Sequence, residues 1–213
     1  MRTEGSDTVN PGDPDRLIAA AARGDQAALR SLLDLHRDRL KRMVELRLDR
    51  RVAPRLDPSD IVQEAFADAA RKLADYDRER PLPFYPWLHC LAQECVVQAH
   101  RKHLHAKKRT VRREEVSPIG WPSRSTAMLV DRLVDSASGP SRALEHEERR
   151  KRLHRALESL APAAREILVM RYLDDLKFPE IAAILGIGES AARMRHLRAL
   201  QDMKEHLDDS SSS

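Results

Sequence analysis

Three arginines, Arg193, Arg195 and Arg198, stand within six residues of one another near the end of the chain, interleaved with Met194 and Leu197 and preceded by Ser190. A guanidinium carries a rigid fork of donors that matches guanine O6 and N7, or two phosphate oxygens. Apolar side chains among such forks suit thymine methyl groups. This chemistry requires one face of a stiff element, and the stretch EIAAILGIGESAARMRHLRAL has the spacing to provide it. Ile181, Ala182 and Leu185 form the inner stripe of a short helix. Gly186 stands where that helix stops, because glycine adopts a left-handed backbone without steric cost. In the next pattern Ala192, His196, Ala199, Leu200 and Met203 share a face. Ser190, Arg193, Met194 and Leu197 are left outward, with Arg195 and Arg198 at their sides. The pattern predicts a helix-turn-helix whose second helix fits a DNA major groove. An ordinary antiparallel helix pair with a solvated arginine face has the same spacing.

Two further constellations carry charge in a pattern. Asp60, Glu64 and Asp68 recur every fourth residue beside Gln63, a ladder of like charges that repel by about 0.2–0.5 kcal/mol per pair on a helix. Such a face is either simply solvated or meets a basic partner that removes the repulsion. The third group couples Phe84, Tyr85 and Trp87 to a run without Asp or Glu from Cys95 to Arg113. Glu94 lies just before that run, and Arg101, Lys102, Lys107, Lys108, Arg109, Arg112 and Arg113 lie within it. Aromatic rings beside such a run suit a nucleic-acid strand that is both neutralised and stacked upon; a solubilising basic tail is the plainer alternative.

Other reactive residue types lack a working arrangement. His89, Cys90, Cys95, His100, His103 and His105 cluster in sequence, but their spacings match neither a C-x-x-C pair nor an H-E-x-x-H helix face. No nucleophile elbow, glycine-rich phosphate loop or second acid cluster accompanies them. The expectation is a protein without catalysis, metal or cofactor.

The elements that must position these residues follow from composition and punctuation. In 213 residues aromatics make up 4% and charged residues 34%, with a formal net charge of +4, a balance that suits small helical domains. Few segments alternate or are β-branched, so no sheet is expected. Two cysteines in an apolar helical pattern make a disulfide framework improbable, and a reduced cytoplasmic protein fits. No run approaches a signal peptide or a membrane span. Residues 1–13 read as a disordered lead-in and 14–113 as a first helical domain. Within that domain Asp25 and Asp57 cap helices, Pro54 ends a long buried stripe, and DYDRERPLPFYP is a loop. Residues 114–140 read as a turn-rich linker whose apolar piece, Met128 to Val134, docks only transiently. A second helical domain spans 141–207, followed by a polar tail, 208–213. The fold class is therefore all-α: two small helical domains joined by a flexible linker, the second a helix-turn-helix.

The order of these pieces resembles a bacterial RNA polymerase sigma factor of the extracytoplasmic-function group. DPSDIVQEAF, FYPWLHCLA with HRKHLHAKKR, and SLAPAAREILVMRYLDDLKFPEIAAILGIGESAARMRHLRAL carry the resemblance, which covers Leu17 to Leu207. The HRKHLHAKKRTVRREE run resembles a planctomycete-like subgroup. The resemblance implies a non-enzymatic protein that binds core RNA polymerase and promoter DNA and promotes strand opening, with an anti-sigma protein as a third partner to be considered. It implies polymerase docking through Asp60, Gln63, Glu64 and Asp68. Capture of the downstream element would involve Phe84, Tyr85, Trp87, Glu94, Arg101 and Lys102. Reading of the upstream element would involve Ser190, Arg193, Met194, Arg195, Leu197 and Arg198. Glu94 stands where relatives often carry Asn, and Lys177 and Gly188 stand at cap positions usually held by Ser. A stand-alone regulator using only the helix-turn-helix is the alternative from another class; a metal hydrolase is a third.

Overall fold

The computed structural model describes residues 14–48, 56–108, 123–135 and 143–209, and these are almost wholly helical. The lead-in, the break at Pro54, Arg109 to Arg113 and the serine tail lie outside the described residues, as do the side chains of His103, His105, Lys107 and Lys108.

The first half is built from α1 (Pro14–Ala22), α2 (Gln26–Arg47), α3 (Pro58–Glu79) and α4 (Phe84–Lys108). Their starts are set by short polar side chains. The Asp25 carboxylate accepts from the backbone N–H groups of Ala27 and Ala28 at 2.8 and 3.1 Å. Asp57 accepts from that of Ser59 at 2.8 Å, with Pro58 in the first turn. Each cap satisfies donors that have no partner inside the helix. Leu32, Leu40, Met43 and Val44 of α2 meet Ile61, Ala65, Phe66, Ala69 and Leu73 of α3 and Leu88, Ala92 and Val96 of α4 in a buried core.

The stretch expected as a loop, Asp75 to Pro86, is shorter than its three prolines suggest. α3 runs on to Glu79 and α4 begins at Phe84. Arg80 closes α3 in a left-handed conformation, φ 41°. The Tyr76 hydroxyl donates to the Leu82 carbonyl at 3.0 Å and staples the turn. The prolines fall just beyond the end of one helix and in the first turn of the next, where they break no ladder hydrogen bond.

The segment expected as a linker contains a helix, α5 (Ser123–Asp135). Leu129 and Val130 are buried, and the Ser125 hydroxyl donates to the Leu46 carbonyl at the end of α2. The short apolar piece thus packs as a formed element, against both the first half and the second. That second half comprises α6 (Ala143–Ser159), α7 (Pro162–Tyr172), α8 (Phe178–Leu185) and α9 (Glu189–Asp209). Leu153, Leu157, Ile167, Leu168, Met170, Ile181, Ala192 and Ala199 fill its centre. Gly186 takes φ 63° at the end of α8, the left-handed stop expected of it.

The two halves share one continuous apolar cluster and a buried polar contact. α8 and the turn before it lie against α4. No described helix is long and apolar enough to cross a membrane.

Candidate nucleic-acid interface

α8 and α9 form the helix-turn-helix. The inner positions are as expected: Ala192 and Ala199 are buried, and His196, Leu200 and Met203 are partly so. His196 lies between Tyr172 and Phe178, its Nε2 3.2 Å from the Tyr172 hydroxyl oxygen. Burial, aided by the charge of Arg171, lowers its pKa.

The outer face carries the six expected residues together: Ser190, Arg193, Met194, Arg195, Leu197 and Arg198 are all exposed. Met194 and Leu197 are each 48% exposed, two large apolar side chains standing together among arginines. The Arg193 fork is not free to wander. Its Nε and Nη2 donate to Glu189 at 3.1 and 2.5 Å, and its guanidinium lies 4.8 Å from the centre of the Phe178 ring. The i, i+4 pair and the ring hold the fork near the start of the helix, the end that reaches base edges in a groove.

At the start of α8, Lys177 has no side-chain acceptor to offer, so the exposed N–H groups of the first turn lack a side-chain cap. Glu180 bonds the Lys177 backbone N–H at 2.8 Å and supplies half of the usual reciprocal arrangement.

On the first half, Asp60, Gln63 and Glu64 of α3 face solvent and Asp68 is partly exposed. The ladder is partly neutralised within the molecule. Asp68 pairs with Arg71, and Lys102 of α4 lies 3.8 Å from Glu64. Asp60 remains as the outer end of the acidic face.

α4 divides the third constellation. Glu94, Arg101 and Lys102 are exposed, and Trp87 is half-buried, stacked on Tyr76 at 4.4 Å between ring centres. Phe84 and Tyr85 are buried. Phe84 packs on Tyr76 and His36, and Tyr85 lies under the Arg39 guanidinium at 3.8 Å. Neither ring offers a free face to a base in this arrangement. The physical reason is position: both occupy the first turn of α4 on the side turned to α2. Among the described residues no group of three or more His, Cys, Asp or Glu side chains is placed to hold a metal ion.

A cluster that sequence reasoning missed lies between the halves. Arg47 of α2 donates through Nη1 and Nη2 to both carboxylate oxygens of Asp174, at 3.1 and 2.6 Å, and through Nη2 to Glu166 of α7 at 3.3 Å. His89 of α4 brings Nε2 within 3.3 Å of the same Asp174. The Asp174 and His89 side chains are 0% exposed. Beside them Arg39 reaches Glu180 at 3.2 Å and the Asp175 carbonyl at 3.1 Å. Burial alone would raise the Asp174 carboxyl, but the Arg47 charge and the hydrogen bonds from His89 and Arg47 hold it down to about 2. Burial lowers the His89 pKa despite its Asp174 partner, and raises that of Glu166 despite Arg47. The signal available in the sequence was faint. Arg47 interrupts an apolar run between Leu46 and Leu48, and His89 sits at helical spacing with Tyr85, Ala92 and Val96 on a buried face.

With this geometry in place, the family comparisons are direct. Residues 32–105 match the family model for sigma-70 region 2, and residues 150–203 match that for sigma-70 region 4. Two helical domains in this order, the second a helix-turn-helix, define the chain as a sigma factor of the sigma-70 family, a protein that directs RNA polymerase to promoters. Within that family it belongs to the ECF group. It is 29% identical over 183 residues to the ECF RNA polymerase sigma-E factor of Escherichia coli (strain K12), covering 86% of this chain and 88% of that one. It is 28% identical over 193 residues to the ECF RNA polymerase sigma factor SigD of Mycobacterium tuberculosis (strain ATCC 25618 / H37Rv), covering 91% and 83%. Among solved structures it is similar to CnrH, determined in complex with the cytosolic domain of CnrY, with TM-score 0.54, 25% identity, and 92% and 99% of the two chains covered. A stand-alone helix-turn-helix regulator would account for the second match and leave residues 32–105 without a role.

Proposed function

We propose a division of labour in which α3 docks on core polymerase, α4 captures melted downstream bases, and α9 reads the upstream element. The observation that carries it is the outer face of α9, where Ser190, Arg193, Met194, Arg195, Leu197 and Arg198 stand exposed together. Arg193 reads a base, Met194 and Leu197 contact methyl groups, and Arg195 and Arg198 hold the flanking phosphates. Asp60, Gln63 and Glu64, with Asp68 behind them, meet a basic surface of the polymerase.

On α4, Trp87, Glu94, Arg101 and Lys102 form the accessible part of the capture segment, and Phe84 and Tyr85 buttress it from within. Stacking returns about 1–3 kcal/mol per captured base, against a stacking cost of roughly 1.4 kcal/mol per base-pair step. One or two captured bases therefore bias opening without nucleotide hydrolysis. Glu94 accepts hydrogen bonds only, when ionised, which favours the N4 amino group of cytosine at one captured position.

No step in this scheme requires catalysis, a metal or a cofactor, and its setting is the cytoplasm, where polymerase and promoter are found. The complex of CnrH with the cytosolic domain of CnrY supports a protein partner for this chain too, and the partner proposed is an anti-sigma protein. The basic run after Cys95 supports placement in the planctomycete-like subgroup.

The test is transcription in vitro with core polymerase on a genomic library, with the start sites sequenced. Start sites sharing an upstream and a downstream element are the expected result. Transcription no greater than with core polymerase alone overturns the reading.

A further inference from the structure

His196 is the polar member of the inner stripe of α9, and none of the proposed contacts with DNA uses it. With α9 as the reader of the upstream element, the reading on which a role for His196 rests, the roll of that helix about its own axis decides which side chains meet which bases. A helix with its side chains is about 10–12 Å across, so a roll of about 10° carries an outer side-chain tip roughly 1 Å. A contact to a base edge tolerates about half of that.

The alanines of the inner stripe do little to prevent a roll. Ala192 and Ala199, 0% and 1% exposed, let α9 approach its neighbours closely but offer no directional bond. His196 stands between them at helical spacing. Its Nε2 lies 3.2 Å from the hydroxyl oxygen of Tyr172 at the end of α7, a contact with a preferred direction. Its ring centre lies 5.6 Å from that of Tyr172 and 5.4 Å from that of Phe178, the latter pair edge-on at 76°. A roll of α9 stretches the hydrogen bond and disturbs both ring contacts. Burial and the charge of Arg171 lower the His196 pKa, which keeps the ring neutral near pH 7. A neutral imidazole pairs with a hydroxyl as donor or as acceptor, according to its tautomer.

Phe178 links this seat to the outer face. The ring that meets His196 also lies 4.8 Å from the Arg193 guanidinium and 5.5 Å from that of Arg171. Arg171 is itself anchored, its Nη1 donating to the Leu176 carbonyl at 3.2 Å. Arg193 precedes His196 by three residues, so the outer arginine and the inner histidine meet one ring from adjacent positions of the helix. A displacement of either is felt by the other through that ring.

We propose that His196, bonded to the Tyr172 hydroxyl and seated against Phe178, is a positioning residue that fixes the roll of α9, and that through the shared Phe178 ring it sets the Arg193 fork for one base pair of the upstream element. His196 itself touches no DNA. It acts on specificity, by aiming a neighbour, and not on the phosphate contacts that dominate affinity.

The test uses core polymerase loaded with the full chain. The probes are a promoter duplex whose upstream element comes from the mapped start sites, its single-base variants, and a duplex of random sequence, each titrated at several salt concentrations. Arg193→Ala is the reference, because it identifies the base pair that the fork reads. Tyr172→Phe deletes one oxygen atom and leaves both rings in place. It should lower discrimination at that same base pair by about fivefold, a part of what a bidentate contact supplies. Other positions, the random duplex and the salt slope should be unaffected. His196→Leu fills similar space without the hydrogen bond and should act alike. The two changes together should do no more than either alone, since both break one contact. His196→Gln keeps a polar group facing the hydroxyl and should retain most of the discrimination. Unchanged base preference in Tyr172→Phe and His196→Leu overturns the proposal, and so does equal weakening on every duplex, the mark of a residue that only supports the fold. If Arg193→Ala itself relaxes no base pair, the reading of α9 fails and the proposal falls with it. If Arg193→Ala relaxes one and the other two variants do not, the proposal alone fails.

Discussion

Arg193 and Arg198 are separated by little more than one helical turn, yet their surroundings differ. Arg193 is held by Glu189 and by the Phe178 ring near the N-terminal end of α9, the end that the proposed docking directs into a groove. Its fork is therefore partly ordered before DNA arrives, which lowers the entropic cost of a bidentate contact. Arg198 lies further along the helix, exposed and to one side. Arg193→Ala should weaken binding to the cognate upstream element by about 1–3 kcal/mol and relax preference at one base pair. Arg198→Ala should weaken every sequence alike and lower the salt slope by about one unit. A panel of single-base variants titrated at several salt concentrations separates the two. Equal weakening of all variants by Arg193→Ala would make that residue a phosphate anchor.

For whole helices, α3 and α8 make contrasting predictions. The exposed row of α3 is Asp60, Gln63 and Glu64, while its buried row holds the core, so charge on one row can be reversed without disturbing the other. Asp60→Lys with Glu64→Lys should abolish co-purification with core polymerase at unchanged helicity, and retained pull-down would place the docking surface elsewhere. Removing Glu64 also releases Lys102, a weak exposed pair whose loss should not register in stability. α8 is short and lacks a side-chain cap at Lys177. Lys177→Ser would complete the reciprocal pair with Glu180 and should stabilise the protein by about 1 kcal/mol. For a chain of this size that is a rise of roughly 2–4 °C in Tm. No rise, or a fall, in a thermal melt would show that the lysine is held by something other than capping.

In the molecule as a whole, buried titratable groups make stability depend on pH in a calculable direction. His36, His89 and His196 all have pKa values lowered by burial from 6.5, so the unfolded chain binds more protons below that pH. Their contribution is fully present above pH 6.5 and is lost as pH falls through the lowered folded values. Asp174, held at about 2 against an ordinary 3.8, adds stability that is present above 3.8 and lost as pH falls toward 2. Glu166 works the other way: its raised pKa makes the folded protein less stable as pH rises above 4.5. Denaturant midpoints should therefore drop as pH is lowered from 7 toward 5. His89→Gln should flatten that slope, and an unchanged slope would remove His89 from the account.

What the amino-acid order determined by itself was local. The caps at Asp25 and Asp57, the stop at Gly186 and the outward row on α9 depend on neighbours within a helical turn or two, and those interactions are written in spacing. The acidic row of α3 was legible for the same reason. Tertiary structure decided the rest. Whether Phe84 and Tyr85 offer their rings or bury them depends on α2, some forty residues earlier, and aromatic residues suit either role. Residues 123–135 carry enough apolar side chains to dock, but only the presence of α2, α6 and α7 around them makes a turn-rich stretch hold a helix. The pairing of Arg47 with Asp174 joins positions 127 residues apart. A charge is placed in a core only where a partner arrives to compensate its lost hydration, and no periodicity in either segment announces that arrival.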